Sequence, residues 1–366
     1  MKKYNEQNER LKRDYYRYLK EARRQSELSI DVKAAAINRF ETYTGHKDFK
    51  SFHREQAIGF KNRLAGQLNQ KTGERLSKST VRSTLTALRA FFLWLADQPG
   101  FKSRIKYSDA DYLNPSERDI QIALSPRSRP VPTVEQIRHT LNVMPADSPL
   151  ARRDRALMAF ILLTGCRDTA TVSVKLKHVD LTQRVLYQDP REVETKFGKS
   201  ITTTFFPVGG EALDYLTDWI GELKTVHLWG LEDPLFPATE MLRSETGGFH
   251  PAGLKRAHWS NADPVRRVFR AAFERAGLPS FNPHSFRTTL TRLGLQLCRG
   301  AEQLKAWSQN LGHEQMLTTF TSYGRIDEHR QGQIIKSLAR TDPEPDDIDD
   351  LLARISTVAK RRLMDT

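Results

Sequence analysis

The sequence predicts a mainly α fold with a small β-sheet (α+β), divided into an N-terminal helical domain and a larger second domain. Three observations carry this. Apolar residues recur at intervals of three and four through most of the chain, the period of an amphipathic helix. Runs rich in Val, Ile, Thr and Phe are confined to residues 184–188 and 201–208, enough for one hairpin. Pro99, Gly100, Pro115, Pro126, Pro130 and Pro132 punctuate a polar stretch with little periodicity, which marks a division. A length of 366 residues suits two domains, each with chain enough to bury a core.

Taken in order, residues 1–26 are dense in Arg, Lys and Tyr and read as a basic N-terminal arm or helix. Residues 27–105 read as a helical DNA-binding domain. Ile30, Ala34, Ile37, Phe40 and Tyr43 lie at helical spacing, and Ala57, Phe60, Leu64 and Leu68 repeat the pattern after a break near Gly45. Leu76-Ser-Lys-Ser-Thr80 supplies a helix N-cap, followed by Val81, Leu85, Leu88, Phe92 and Leu95 on one stripe, with Lys78, Arg82 and Arg89 expected on the opposite face against DNA phosphates. Residues 106–132 are expected to be the linker, and residues 133–340 the second domain. The latter opens with an N-cap at Thr133, runs through the apolar stretch Arg155–Leu163 and stops at Thr164-Gly165. The expected strands are joined around Lys196-Phe-Gly-Lys199, and helices follow at about 210–224 and 264–276 with an unassigned Gly- and Pro-containing region between them. In the acidic tail, residues 341–366, Ile348, Leu351, Leu352, Ile355 and Val358 form an apolar helical stripe that needs a partner surface.

Charge is unevenly spread. Residues 1–130 carry 27 Lys/Arg against 15 Asp/Glu, most of the net +14, whereas residues 341–366 are net acidic. Such asymmetry points to a polyanion, with double-stranded DNA as the expected partner. No run of eighteen apolar residues exists and no hydrophobic stretch follows the N-terminus, so neither a membrane partner nor a secretory signal is expected. Cys166 and Cys298 make neither metal-ligand spacing nor a disulfide framework, and the expected location is the cytoplasm, with the nucleoid.

The chemistry concentrates in Asn282-Pro-His-Ser-Phe-Arg287. Pro283 suits the first turn of a helix, which places His284 and Arg287 on one face near the positive end of its dipole, where a phosphate binds. Arg167 follows the Thr164-Gly165 stop, and Leu311-Gly-His313 and Tyr323 come later. Transesterification at a phosphodiester needs guanidiniums to hold the non-bridging oxygens, a nucleophile, and an acid for the leaving alkoxide. Singly, each residue has a plainer reading: a surface Arg, a capping His, a core Tyr. Their number and order give the pattern its specificity.

The sequence resembles the tyrosine recombinases, the phage-integrase and Xer-type family, over roughly residues 28–335. Thr164-Gly-Cys-Arg167 resembles the family's first Arg motif, Thr195-Lys196 its β-hairpin lysine, Pro283-His284-Ser-Phe-Arg287 its His-x-x-Arg, Leu311-Gly-His313 its second His, and Tyr323 its nucleophile. The resemblance implies an N-terminal helical core-binding domain plus a tyrosine-recombinase catalytic domain, and a catalytic set of Arg167, Lys196, His284, Arg287, His313 and Tyr323. Lys196 is preferred to its competitor Lys199 because it matches the hairpin motif.

The implied reaction is site-specific DNA cleavage and rejoining through a 3′-phosphotyrosyl link, for integration, excision or transposition of a mobile element, with no metal or other cofactor. The implied assembly is a homo-oligomer on DNA, a tetrameric synapse, with accessory DNA-bending proteins or a partner recombinase as further partners. The tail is expected to dock on a neighbouring subunit. Two departures stand out: Ala170 occupies a position commonly acidic in the family, and the interval from His313 to Tyr323 is one residue longer than in many members. The competing readings are a type IB topoisomerase and a catalytically inactive DNA-binding regulator.

Overall fold

The computed structural model describes residues 4–70, 72–125, 130–244 and 247–312. His313, Tyr323 and the tail from residue 341 lie outside the described residues. The chain forms two compact units, residues 1–126 and 127–366.

The first unit is helical: α1 (Glu6–Arg17, extended by a π-helical turn at Tyr18–Ala22), α2 (Glu27–Thr44), α3 (Arg54–Gly66), α4 (Lys78–Ala96), α5 (Tyr107–Asp111) and α6 (Glu117–Leu124). Caps fix the boundaries. Ser26 and Ser77 accept hydrogen bonds from Ser29 N and Thr80 N, and α2 ends at Gly45 in the left-handed region, φ 66°. The stripe Val81, Leu85, Leu88, Phe92 and Leu95 is buried as its spacing predicts, and Phe92 stacks on Phe52 with centroids 3.6 Å apart.

Of the two readings of the N-terminal segment, arm or helix, residues 6–22 take the helical one, because Tyr15 inserts its ring 5.1 Å from Phe91 and 4.9 Å from Trp94. Beside it the buried Asn8 donates to Glu41 Oε1 (3.0 Å) and to Lys47 O (3.0 Å), and Lys12 Nζ pairs with Glu41 Oε2 at 2.6 Å. Two further expectations for this unit need correction. Part of the expected linker is structured too: α5 and α6 belong to the first unit, since Ala110 and Leu113 are buried in its core. Lastly, Lys78, Arg82 and Arg89 flank the apolar stripe of α4 instead of opposing it, as 100° per residue requires. There Lys78 pairs with Asp119 (2.7 Å) and Arg89 with Asp111 (2.8 Å), acids carried by α6 and α5. Arg82 is exposed.

The second unit is built around α8 (Pro149–Thr164), whose residues Ala156–Leu163 are all buried. Pro at the first helical position and the Ser148 cap start it. Before it, α7 (Val134–Val143) opens with a capping box between Thr133 and Gln136. After it come the short α9 (Asp168–Thr171) and an antiparallel sheet of β1 (Val179–Asp180), β2 (Val185–Gln188) and β3 (Ile201–Thr204). The β2–β3 register runs from Val185↔Thr204 to Gln188↔Ile201.

Next, α10 (Ala212–Thr225) packs on α8, with Trp219 Nε1 donating to Leu235 O at 2.8 Å. The region that periodicity left unassigned holds an antiparallel ribbon, β4 (Ala238–Arg243) and β5 (Phe249–Lys255), exposed along most of both strands. The unit continues through α11 (Asp263–Arg275), α12 (Pro283–Leu297) and α13 (Ala301–Asn310). Trp307 of α13 donates to Leu290 O (3.0 Å) and lies against Gly294, where a Cβ would come 2.5 Å from Nε1. Among the described residues no helix is long and apolar enough to cross a membrane.

The Lys12–Glu41 pair should matter to the first unit beyond an ordinary surface pair. Glu41→Ala removes one of the two carboxylates on the buried Lys12 ammonium, the other being Glu9 at 2.6 Å, together with a partner of the Asn8 amide, and should destabilise the unit by about 2 kcal/mol. Urea denaturation checks this, and a change within the error of the midpoint would refute it.

Candidate active site

The site begins where α8 stops. Gly165 takes a left-handed conformation, φ 59°, and its N–H still closes the helix onto Ile161 O at 2.9 Å. A Cβ there would lie 3.0 Å from Leu311 Cδ2 and 3.1 Å from Leu290 Cδ1, so glycine serves both the conformation and the close approach of α12 and the segment after α13. Cys166 N then donates to Thr164 Oγ1 (3.1 Å), and the Arg167 carbonyl accepts from Thr171 N (2.8 Å) and Thr171 Oγ1 (2.9 Å). These bonds turn the chain sharply and present Arg167, half-buried, at the start of α9.

Arg287 arrives from α12. Asn282 caps that helix by accepting from Ser285 N at 3.1 Å, and Pro283 occupies the first position. His284 therefore lies in the first turn, only partly open to solvent, and Arg287 one turn deeper. The Arg287 side chain is buried, 5% exposed, and reaches the reversal after α8. Its Nη1 donates to Gly165 O and its Nη2 to Leu311 O. One guanidinium thus ties the turn that launches Arg167 to the turn that leads toward His313.

Lys196 stands on a short 3-10 turn, Lys196–Gly198, between β2 and β3. The exit of that hairpin is fixed by a residue the sequence reading missed. Asn310, at the end of α13, accepts Thr204 N on Oδ1 (2.8 Å), donates to Thr204 O (2.7 Å), and accepts Thr203 Oγ1 on its carbonyl (3.1 Å). Its amide completes the edge of β3 as a neighbouring strand would. An Asn at a helix end ordinarily reads as a cap, so nothing in the sequence pointed across more than a hundred residues to β3.

The electrostatics agree with the geometry. Burial, and then the like charge of Arg167, hold the Arg287 guanidinium down to about 10. Burial also lowers Arg167. The imidazole of His284 is lowered first by desolvation, then by the positive charges of Arg287, Arg167 and Lys196, against an opposing pull from Asp168. Four cationic or ionisable groups from three separate segments therefore share one field: Arg167, Lys196, His284 and Arg287. Cys166, beside them, is buried with its Sγ 3.5 Å from Gln188 Oε1, and burial pushes its thiol up to about 11 in spite of both arginines.

Ala170 is buried, 2% exposed, at the position where the family commonly has an acid. Asp168 does not take over: its Oδ2 accepts from Arg266 Nε at 2.9 Å, and among the described residues no carboxylate bonds the Arg167 guanidinium. Among those residues there is also no group of three or more His, Cys, Asp or Glu placed to hold a metal ion. Lys78, Arg82 and Arg89 belong to α4 of the first unit, as described above.

Comparison with known proteins bears on this arrangement. The sequence model of the phage integrase family matches residues 131–330. Tyrosine recombinase XerC of Halalkalibacterium halodurans is 24% identical over 251 residues, covering 67% of this chain and 71% of the relative. XerC of Vibrio vulnificus (strain YJ016) is 25% identical over 313 residues, 83% of each chain. Among solved structures, a lambda integrase (75-356) dimer bound to a COC' core site superposes with a TM-score of 0.57 at 14% identity, over 87% of this chain and 99% of that one. XerH bound to a palindromic difH substrate gives 0.55 at 16% identity, over 88% and 83%. The fold, a helical unit followed by a mainly helical unit with a short antiparallel sheet, is that of the site-specific recombinases. With more than half of its length matched by the family, the chain belongs to the phage integrase family and is a tyrosine-type site-specific recombinase.

The field around His284 has a measurable sign. Its folded pKa is depressed, so the unfolded chain binds that proton more readily, and the stability this group contributes is lost as pH falls below the ordinary histidine value of about 6.5. In the free protein His284 should titrate below that value by NMR, and should move upward when sulfate or phosphate is added, since an anion offsets the charges of Arg167, Arg287 and Lys196. An ordinary or raised value without added anion would mean that these cations do not converge on it.

Proposed function

We propose that the protein cleaves and rejoins double-stranded DNA at a specific site through a 3′-phosphotyrosyl intermediate, with Arg167, Lys196, His284, Arg287, His313 and Tyr323 as the catalytic set. The observation that carries this reading is the shared field of Arg167, His284, Arg287 and Lys196, with the Arg287 guanidinium bonded to the carbonyl of Gly165, two residues before Arg167, and to that of Leu311. A cluster of positive charge of this kind attracts an anion, and a phosphodiester is one.

In the reaction, the Tyr323 hydroxyl attacks phosphorus and gives its proton to the neutral His284 imidazole. A phosphotyrosyl bond forms as the bond from phosphorus to the 5′ oxygen breaks, and that oxygen takes a proton from the Lys196 ammonium to leave as a 5′-hydroxyl. Arg167, Arg287 and His313 hold the non-bridging oxygens, on which charge grows in the transition state. A 5′-hydroxyl of the partner strand then reverses the steps. The energy of the broken bond is kept in the covalent link, so the reaction calls for neither nucleotide hydrolysis nor a metal.

The first unit would grip the duplex, with Arg82 on the flank of α4 as a phosphate contact and Lys78 and Arg89 able to join it only by exchanging their carboxylate partners. The DNA-bound lambda integrase dimer and XerH complex support DNA as partner and assembly of several copies on it, which we extend to a synaptic tetramer. The integration, excision or transposition of a mobile element fits the likeness to the Tn1549 transposon integrase, which superposes with a TM-score of 0.55 at 13% identity.

Tyr323→Phe should abolish covalent adduct formation on a nicked substrate while leaving DNA affinity nearly intact, because one hydroxyl adds little to a phosphate-dominated interface. Arg287→Ala and Arg167→Ala should each slow cleavage by about 10²–10³-fold. An adduct in the Tyr323→Phe protein, seen by denaturing electrophoresis, would move the nucleophile elsewhere. Relaxation of supercoiled plasmid without any preferred site would favour a topoisomerase instead.

A further inference from the structure

The connection from β2 to β3, residues 189–200, is long for a hairpin and carries Lys196 near its tip. A loop of that length would leave a lysine free to wander, yet its first half is pinned. Asp189 O accepts from Glu192 N (3.0 Å) and Val193 N (2.8 Å), which closes a turn. The Val193 side chain enters the core, 1% exposed, and Glu194 N donates to Ser173 Oγ at 2.9 Å. Thr195 N returns to Val193 O at 2.7 Å.

The charged bonds of this anchor belong to Glu192. Its Oε1 accepts from Lys177 Nζ at 2.7 Å, with Lys175 Nζ at 3.6 Å, and its Oε2 lies 3.0 Å from His178 Nε2. The ring of His178 is 4% exposed, and its Nδ1 accepts the Lys175 backbone N–H at 3.0 Å. That bond leaves the ring proton on Nε2, so His178 donates to Glu192. A buried imidazole with one nitrogen committed to the backbone is a fixed post, and the carboxylate is tied to it. The hydrogen bond from Lys177, followed by that from His178, holds the Glu192 carboxyl down at about 2, so it is anionic throughout the neutral range.

We propose that Glu192 is a positioning residue for the reaction: by fastening the entry of the loop to His178 and Lys177, it delivers Lys196 to the leaving 5′ oxygen. The exit of the same loop is held where Ile201 pairs with Gln188, and β3 is in turn bonded at its far end by Asn310, so the lysine is carried on a strap fixed at both ends. Glu192 precedes Lys196 by four residues, and its ion pairs go to Lys175, Lys177 and His178, all outside the loop. Its influence on the chemistry therefore passes through the backbone of residues 193–195. This inference rests on Lys196 as the acid of the reaction proposed above.

The test uses the full chain and two nicked DNA substrates, one with the ordinary bridging 5′ oxygen and one with sulfur there, whose thiolate leaves without a proton. Glu192→Ala should cleave the oxygen substrate about 10–100-fold more slowly, the cost of a misplaced catalytic group. The sulfur substrate should be cleaved at the wild-type rate, as it should also be by Lys196→Ala. Glu192→Gln, whose amide oxygen still accepts from His178, should fall between. The double variant should be no slower than Lys196→Ala on the oxygen substrate, because both changes remove one function.

Equal losses on both substrates would reduce Glu192 to a stabilising role, and an unchanged rate on the oxygen substrate would remove any role. Either result, with Lys196→Ala still rescued by sulfur, overturns this inference alone. Failure of sulfur to rescue Lys196→Ala overturns the assignment of the acid, and the role of Glu192 with it.

Discussion

The arrangement of the second unit depends on a buried cation bonded to backbone carbonyls. Arg287 donates to Gly165 O and Leu311 O, joining segments more than a hundred residues apart in sequence. Carbonyl oxygens orient a guanidinium without cancelling its charge, as a carboxylate would. The depressed pKa of Arg287 is the energetic mark of that choice, since burial and Arg167 both press on the charged form. An arriving anion relieves both pressures together. The same bonds shape the backbone, for the carbonyls they fix belong to the turns flanking Arg167 and leading toward His313.

Charge in the helical unit is handled the other way. Lys12 and Glu41 meet at 2.6 Å with the buried Asn8 amide completing the set, and Asn8 Oδ1 accepts Phe49 N at 3.1 Å. Each polar group there has its complement within the protein, and the cluster joins α1 to α2 and to the chain after it. The surface acids follow the same habit: Asp111 and Asp119 engage Arg89 and Lys78 on the flank of α4. The basic excess of the first third of the sequence is thus partly answered at home, and gross charge overstated the number of cations open to a partner.

Much of this was legible in the sequence wherever local rules decide. The caps at Ser77 and Thr133, the stop at Gly165, the stripe of α4 and the β2–β3 pair follow from residue type and period. So does the placement of His284 and Arg287 one turn apart on α12. What escaped was long-range. The charged surface of α1 concealed the few residues, Leu11, Tyr15 and Leu19, that bury it. The prolines around α5 and α6 suggested a linker because those helices are short and lean on α4 instead of on a periodicity of their own. The β4–β5 ribbon has little alternation because most of both strands is exposed, so no period-2 signal was written into it. Asn310 and Glu192 act through partners that only the folded chain brings near.

Cys166 lies within the field of two arginines, the setting that ordinarily sharpens a thiol into a nucleophile. Burial overrides it, and with the thiol pushed up to about 11 almost none is thiolate at neutral pH. Oxidants act on thiolates that solvent can reach. The site thus keeps a sulfur atom beside its arginines without acquiring a redox vulnerability at Cys166.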